Sequence, residues 1–261
     1  MNITREKREG GRYMLKEERQ QQLLNILYGT GKIKVDEVAE MFQSSKDTIR
    51  RDLTELEEQG ILKRIYGGAV PKKRLPLAID SRKSIEKDAK YMVAKKAVAL
   101  VHPDSLIAVD GGTTNTLFAS LMPLSITLRV VTNSFPVAEE LRKRPNVDVV
   151  FLGGHVNQGS QTTVGETVLQ QLKDYHFDQC FLGAYAVDVK SGISVPHPYD
   201  DEAAVKKFLV KNSTEVNIMC SCSKLDKVAN YVICSVDEVD RIICESPVTK
   251  LLQTKYKNKI C

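Results

Sequence analysis

The sequence predicts an α/β protein in two parts: an N-terminal winged helix-turn-helix and a C-terminal, mainly parallel α/β domain. Three observations carry this. The first 70 or so residues read in the order helix, helix, tight turn, helix, hairpin. From about Leu77, apolar strands alternate with helical patterns, as in a parallel sheet. Between the two lies Pro71-Lys-Lys-Arg-Leu-Pro76, whose two prolines and three basic residues suit a stiff, solvated linker. The expected boundaries are a disordered tail over 1–14, the winged helix-turn-helix over 15–70, the linker over 71–78 and the α/β domain over 79–261.

In the head, Leu23, Leu24 and Leu27 fall at helical spacing within Leu15–Tyr28, and Gly29 and Gly31 end that helix. Lys32-Ile-Lys-Val35 alternates, as a short strand does. Asp36 is the expected cap of a second helix burying Val38, Ala39 and Phe42. After the turn at Gln43-Ser44-Ser45, Ser45 caps a third helix running to about Gln59. Its stripe of Ile49, Leu53 and Leu56 must face a core. Gly60 suits the position past its end. Ile61–Tyr66, Gly67-Gly68 and Ala69-Val70 then read as a hairpin.

In the body, a long helix is expected over Ile85–Val101. Beyond it the runs are Leu106–Asp110, Thr114–Leu121, Leu128–Asn133, Pro136–Arg142, Val147–Leu152, Val164–Leu172, Gln179–Ala184, Asp201–Lys211, Glu215–Cys220 and Val239–Cys244. Strands such as Val147-Asp-Val-Val-Phe-Leu152 are nearly all apolar, which fits parallel strands covered on both faces.

Charge and composition narrow the function class. Residues 1–75 carry 16 Lys and Arg against 12 Asp and Glu, and the remainder 22 against 21, so most of the net +5 sits in the head. A basic small module on a near-neutral body suits a nucleic-acid partner. The six cysteines form no C-x-x-C pair and most lie in apolar runs, so they read as small buried hydrophobes in a reducing cytosol. No metal ligand set or cofactor is expected. No apolar run nears the roughly 18 residues a membrane span needs. The charged N-terminus is not a signal peptide, so the expected location is cytoplasmic.

The helix after the turn is the part of a helix-turn-helix that enters the major groove. With Ile49, Leu53 and Leu56 turned inward, Lys46, Asp47, Thr48, Arg50 and Arg51 are left on exposed faces near its start. Arginine can donate two hydrogen bonds to guanine, and Ser44, Ser45, Lys46 and Thr48 can reach phosphates. Lys63 and Arg64 lead a wing that has five basic residues and no acid between Gln59 and Arg74. The expected DNA contacts are therefore Ser44, Ser45, Lys46, Thr48, Arg50, Arg51, Lys63 and Arg64.

A second constellation gathers at predicted strand ends: Asp110, Gly111, Gly112, Thr113 and Thr114, then Thr132 and Asn133, then Gly153 and Gly154, with Asp201 and Lys224. Ligands of open α/β sheets bind beyond the carboxyl ends of the strands. Glycines there let backbone N–H groups approach an anion. The loop is neither a P-loop nor a dinucleotide fingerprint. A phosphorylated sugar fits, with helix N-termini and Lys224 toward phosphate, and Asp110, Asn133 and Asp201 toward hydroxyls.

Arg19–Val70 resembles the N-terminal domain of the DeoR family of bacterial transcriptional regulators, through Val38-Ala39-Glu40, Ser45, Thr48-Ile-Arg-Arg-Asp-Leu53, Leu56-Glu57, Gly60 and Tyr66-Gly-Gly-Ala69. The body resembles that family's effector domain through Val109-Asp-Gly-Gly-Thr-Thr114, Val131-Thr-Asn-Ser134, Phe151-Leu-Gly-Gly154, Phe181-Leu-Gly-Ala184, Glu202-Ala-Ala-Val-Lys206 and Ser223-Lys224. The resemblance implies a fold of ribose-5-phosphate-isomerase type, no catalysis, operator DNA and a small phosphorylated sugar effector as partners, and a homo-oligomer, dimer or tetramer. It departs from the family in three places. Tyr185-Ala186 stands where Asp-Gly is usual, Ser221 where Asp is common, and Val195–Asp200 is slightly longer. The alternative is a sugar-phosphate isomerase-like enzyme with an appended DNA-binding domain, using Asp110 as base and Lys224 beside an enediolate. An RNA-binding or scaffold role lacks an aromatic stacking platform.

Overall fold

The computed structural model describes residues 14–30, 32–71, 79–245 and 249–261. Apart from Met14 and Pro71, the expected tail and linker lie outside the described residues, as does Gly31. The chain divides into two compact units between residues 76 and 77.

The N-terminal unit runs α1 (Lys16–Thr30), β1 (Ile33–Lys34), α2 (Val35–Met41), α3 (Lys46–Glu58), β2 (Leu62–Ile65) and β3 (Gly68–Pro71). The strands form a small antiparallel sheet in the order β1-β3-β2. Leu23, Leu27, Ile33, Val38, Phe42, Ile49, Leu53, Leu56 and Leu62 make one core. This is a winged helix-turn-helix. Asp36 is not the cap of α2, as expected from the sequence. The helix starts at Val35, and the Val35 N–H is already satisfied by the Gly67 carbonyl at 2.9 Å. A side-chain cap has little to satisfy there. Gly68 pairs with Lys34, and a Cβ at that position would run into the Ile33 carbonyl.

The C-terminal unit opens with α4 (Ile79–Arg82) and α5 (Lys87–Val98). The chain then alternates through β4 (Ser105–Val109), α6 (Thr113–Leu121), β5 (Leu128–Thr132), α7 (Phe135–Leu141), β6 (Val147–Phe151), β7 (His155–Asn157), β8 (Thr162–Val164), α8 (Glu166–Leu172) and β9 (Phe177–Gly183). It closes with β10 (Ala186–Asp188), β11 (Gly192–Val195), α9 (Asp200–Lys211), β12 (Ser213–Met219), β13 (Tyr231–Cys234), β14 (Arg241–Ile243) and α10 (Lys250–Lys255). The main sheet has the order β14-β12-β9-β4-β5-β6, and every pairing in it is parallel.

Alternate residues of its strands enter two different cores. Ile107, Val109, Phe181 and Met219 pack on one face; Ala108, Cys180, Leu182 and Ile218 pack on the other. A sheet covered on both faces removes the polar side of each strand, which is why the runs read as apolar throughout.

Two expected helices are redrawn. Val164–Leu172 is not one helix: β8 ends at Val164, Gly165 turns with φ +92°, and α8 follows. The helix expected over Ile85–Val101 is shorter. It begins after Glu86, which is held left-handed at φ +50° while its carboxylate accepts a 2.6 Å hydrogen bond from Ser221. A tertiary bond of this kind leaves no local trace in sequence. Four of the six cysteines are buried and all six are free thiols. Among the described residues, no group of His, Cys, Asp and Glu is arranged to hold a metal ion. None of their helices is long and apolar enough to cross a membrane.

Candidate functional site

The head presents α3. Ser45 caps it: the Thr48 N–H donates to Ser45 Oγ at 3.1 Å, and the two hydroxyls lie 2.9 Å apart. The buried side of α3 carries Ile49, Leu53, Leu56 and also Asp52. Asp52 accepts from Arg19 of α1 at 2.5 and 3.2 Å, with both side chains shielded from water. Glu55 adds bonds from Lys16 and Gln20 of α1. Together these pin α3 against α1. The sequence reading did not single out Asp52. The available signal was an acid three residues after Ile49 and four before Leu56, on the inward stripe.

The outward side carries Asp47, Arg50, Arg51, Thr54, Glu55 and Glu58 around an open groove. Arg50 is paired with Asp47 at 2.9 Å. Lys46 is paired with Asp36 at 2.6 Å, and its hydrogen bond holds that carboxyl below the usual carboxylate range. Arg51 is exposed and makes no ion pair or hydrogen bond among the described residues. Ser44 is half-buried, bonding the Phe42 carbonyl. On the wing, Lys63 points to solvent, but Arg64 turns back onto α3. Its backbone N–H and Nε each donate to Glu57 at 2.8 Å, and Nη1 donates to Thr54 at 2.9 Å. Arg64 thus fastens the wing to α3. At the hairpin tip Tyr66 is fully exposed beside Gly67.

In the C-terminal unit, the carboxyl ends of β4, β5, β9 and β12 bring the second constellation together. The chain leaves β4 at Asp110, then Gly111 and Gly112, the latter at φ +125°, before α6 starts at Thr113. Asp110 is buried and paired with Lys206 of α9, whose Nζ also donates to the Gly183 carbonyl at 2.9 Å. The Gly183 N–H donates to Asp110 at 3.3 Å. Buried Asn115 ties the Asp110 and Phe181 carbonyls, leaving its own Oδ1 without a partner. Thr132 and Asn133 are buried as well: Thr132 accepts from Ser134, and Asn133 donates to the Thr163 carbonyl at 2.7 Å. Gly153 bonds the Gln171 side chain, and Gly154 packs closely on Val168. Asp201 stands exposed on α9, while its neighbour Glu202 and, a turn later, Lys206 face inward. Burial holds the Glu202 carboxyl above its usual range, against the pull of Lys206.

Beside these lies a cationic group that the sequence reading missed except for Lys224. Lys90 of α5 is nearly buried and donates to the Arg82 carbonyl at 2.5 Å. Desolvation first, then the charges of Arg82 and Lys224, lower its pKa to about 8. Burial likewise lowers Lys224, with Glu86 opposing. Glu86 is bonded by Ser221, which in turn bonds Ser223 at 2.8 Å. Arg82 stacks over the Tyr185 ring, 5.0 Å from its centroid, and Tyr185 stacks on Tyr199 at 5.4 Å. Arg82 Nε is buried without a hydrogen-bond partner. Among the described residues, Arg82, Lys90 and Lys224 form no ion pair with a carboxylate. No sequence spacing links residues 82, 90, 185 and 224; only the fold brings them together.

Both units match family models. A DeoR-like helix-turn-helix domain covers residues 19–74, and a DeoR C terminal sensor domain covers residues 85–246. The chain belongs to the DeoR family. This DeoR-family chain is a DNA-binding transcriptional regulator. It is 31% identical over 234 residues to the HTH-type transcriptional regulator GlpR of Haloferax volcanii, spanning 89% of this chain and 91% of that one. It is 32% identical over 235 residues to the uncharacterised HTH-type transcriptional regulator YulB of Bacillus subtilis, spanning 89% and 90%. The HTH-type transcriptional repressor GlcR of Bacillus subtilis is 26% identical over 238 residues, 89% of each chain. Among solved structures, ribose 5-phosphate isomerase A from Methanocaldococcus jannaschii is similar over 53% of this chain and 54% of its own, at 22% identity and TM-score 0.40. The eIF2B beta structure from Chaetomium thermophilum covers 94% and 86%, at 15% identity and TM-score 0.45.

Two departures from the DeoR pattern now have a place in the fold. Tyr185 follows β9 and carries Arg82 on its ring. Ser221 follows β12 and bonds Glu86.

Proposed function

We propose that this DeoR-family regulator is a repressor of carbohydrate-metabolism genes, released from its operator by a phosphorylated sugar or related metabolite. The observation that carries the reading is the pairing, in one chain, of an α3 with exposed basic groups and, at the carboxyl edge of the sheet, a cluster of three cations that form no ion pair with a carboxylate among the described residues. Ser44, Ser45, Lys46, Thr48, Arg50, Arg51 and Lys63 face or flank the DNA. Arg64 supports the wing. The effector lies along Asp110–Thr114, Thr132, Asn133, Gly153, Gly154 and Lys224, with Asp110 acting through its pair with Lys206. The domains divide as 15–70, 71–78 and 79–261. The protein acts in the cytoplasm as a dimer or tetramer, since half-site symmetry mirrors protein symmetry. The ligand weakens operator binding by favouring the state that binds DNA less well.

The protein is a sensor and not an isomerase in this reading. A general base must be free to take a proton, and Asp110 is engaged by Lys206 and by the Gly183 N–H. The test is an anisotropy titration of DNA upstream of the protein's own gene, repeated with a panel of sugar phosphates. Saturable binding that one of them reverses supports the reading. Binding that none of them alters removes the sensor half, and turnover of ribose 5-phosphate would install the enzyme reading instead.

A further inference from the structure

We propose that Asp47 is a specificity-determining residue of the DNA interface: it accepts a hydrogen bond from the N4 amino group of a cytosine in the major groove, and it holds Arg50 for a guanine within one base pair of that cytosine. The proposal rests on the placement of Arg50 at the DNA given above and adds what the neighbouring acid does there.

The argument starts from charge. The helix after the turn, α3, carries three basic residues, Lys46, Arg50 and Arg51, against five acids. Phosphates attract such a helix weakly, so its part in binding has to come from base edges more than from the backbone. Three of the acids are taken up within the head. Asp52 is paired with Arg19, Glu55 with Lys16 and Glu57 with Arg64. Asp47 differs from these. Its partner, Arg50, lies one turn on along the same helix, and both line the open outward groove. The two side chains are 78% and 59% exposed, so a base edge can reach either.

The geometry of the pair leaves each partner able to read. Arg50 donates to Asp47 Oδ1 through Nη1 at 2.9 Å. The guanidinium edge formed by Nε and Nη2 stays available, and that fork matches the N7 and O6 acceptors of guanine. Holding the guanidinium in place beforehand lowers the cost of ordering it on DNA. Asp47 keeps Oδ2 as an acceptor. Cytosine presents a donor, N4–H2, in the major groove, whereas guanine and thymine present acceptors that a carboxylate repels. Adenine offers a donor too, but beside its N7 acceptor. Asp47 therefore acts in both directions: it rewards cytosine and penalises the other bases and the phosphates.

The test is selection of bound duplexes from a randomised library by the full chain and its variants, then titration of the selected duplex and of an unrelated one. Wild type is expected to select a motif with a C and a G within one base pair of each other. Asp47→Ala should lose the C preference, bind the selected duplex about tenfold more weakly, and bind the unrelated duplex about threefold more tightly. Asp47→Asn should move the preference from C to A, because an amide pairs with N6 and N7 of adenine. Arg50→Lys should lose the G preference. Both side chains lie outside the core of the head, so these variants keep its fold. A first-turn acid that only steadies the helix would act alike on every sequence. Equal weakening of both duplexes by Asp47→Ala, with the motif unchanged, therefore overturns the proposal. A motif altered by Arg50→Lys but by neither Asp47 variant also overturns it, while leaving Arg50 at the DNA. A motif altered by none of the three overturns it and takes Arg50 out of base contact as well.

Discussion

At the scale of single residues, similar side chains on α3 have different tasks. Arg50 and Arg51 are adjacent, but Arg50 is occupied by Asp47 and Arg51 is unpartnered among the described residues. Arg51→Ala should cost about 1–3 kcal/mol of operator affinity if the side chain reads a base. An unchanged dissociation constant by anisotropy would take Arg51 out of the interface. Asp52 lies two residues after Arg50 but is a stability residue, buried against Arg19. Removing one partner of a buried pair strands the other charge, so Asp52→Ala should destabilise the head by about 3–5 kcal/mol. An apolar pair, Arg19→Met with Asp52→Leu, should recover much of that loss in urea unfolding. If the single and double variants are equally unstable, the ion pair is not the reason for the loss.

At the scale of elements, the wing and α3 form one piece. Arg64 bonds Glu57 and Thr54, and Gly68 lets β3 lie against β1 with no Cβ in the way. Gly68→Ala forces the Ile33 carbonyl aside and should lower the thermal midpoint of the head by several degrees, as a loss of about 1–3 kcal/mol does in a small domain. Gly67 has open space around its Cα, but its φ of +74° favours glycine too. A smaller effect at Gly67 than at Gly68 is the expected order; the reverse would show that turn conformation, and not the close approach, limits the wing. In the second unit, Lys90 gives the ligand-free protein a stability slope of its own. Its folded pKa, about 8, lies below its ordinary value of 10.5. Between these two values the unfolded chain binds more protons, so this group adds stability as pH rises from about 8 toward 10.5 and withdraws it as pH falls through 8. Denaturant midpoints of wild type and Lys90→Met over that range should diverge in this sense. Parallel profiles would show that Lys90 carries an ordinary pKa.

At the scale of the whole molecule, the head's positive excess predicts that operator affinity falls steeply with salt as phosphate contacts release counterions. A flat response would rule out a phosphate-based footprint. The order of the main elements was legible: helix, helix, turn, helix, hairpin, then strands alternating with helices. Local rules suffice for that, because a stripe such as Ile49, Leu53, Leu56 or a cap such as Ser45 acts within a few residues. The short hairpins β7–β8 and β10–β11 were not legible, because strands of three or four residues are too short to show a period, and the left-handed start of α5 at Glu86 was not, because its partner Ser221 lies far along the chain.

The candidate sites divide in the same way. By itself the sequence determined the DeoR-type head, the helix after its turn and a parallel sheet with small and polar residues at its carboxyl edge. All of these follow from periodicity, caps and glycines that act locally. Only the tertiary structure decided that Asp52 is an anchor, that Arg64 turns inward, that Asp110 belongs to Lys206, and that Arg82, Lys90, Tyr185 and Lys224 meet. Such outcomes depend on which distant charge or ring the packed sheet places alongside. Burial then makes each pairing, or its absence, matter far more than it would in water.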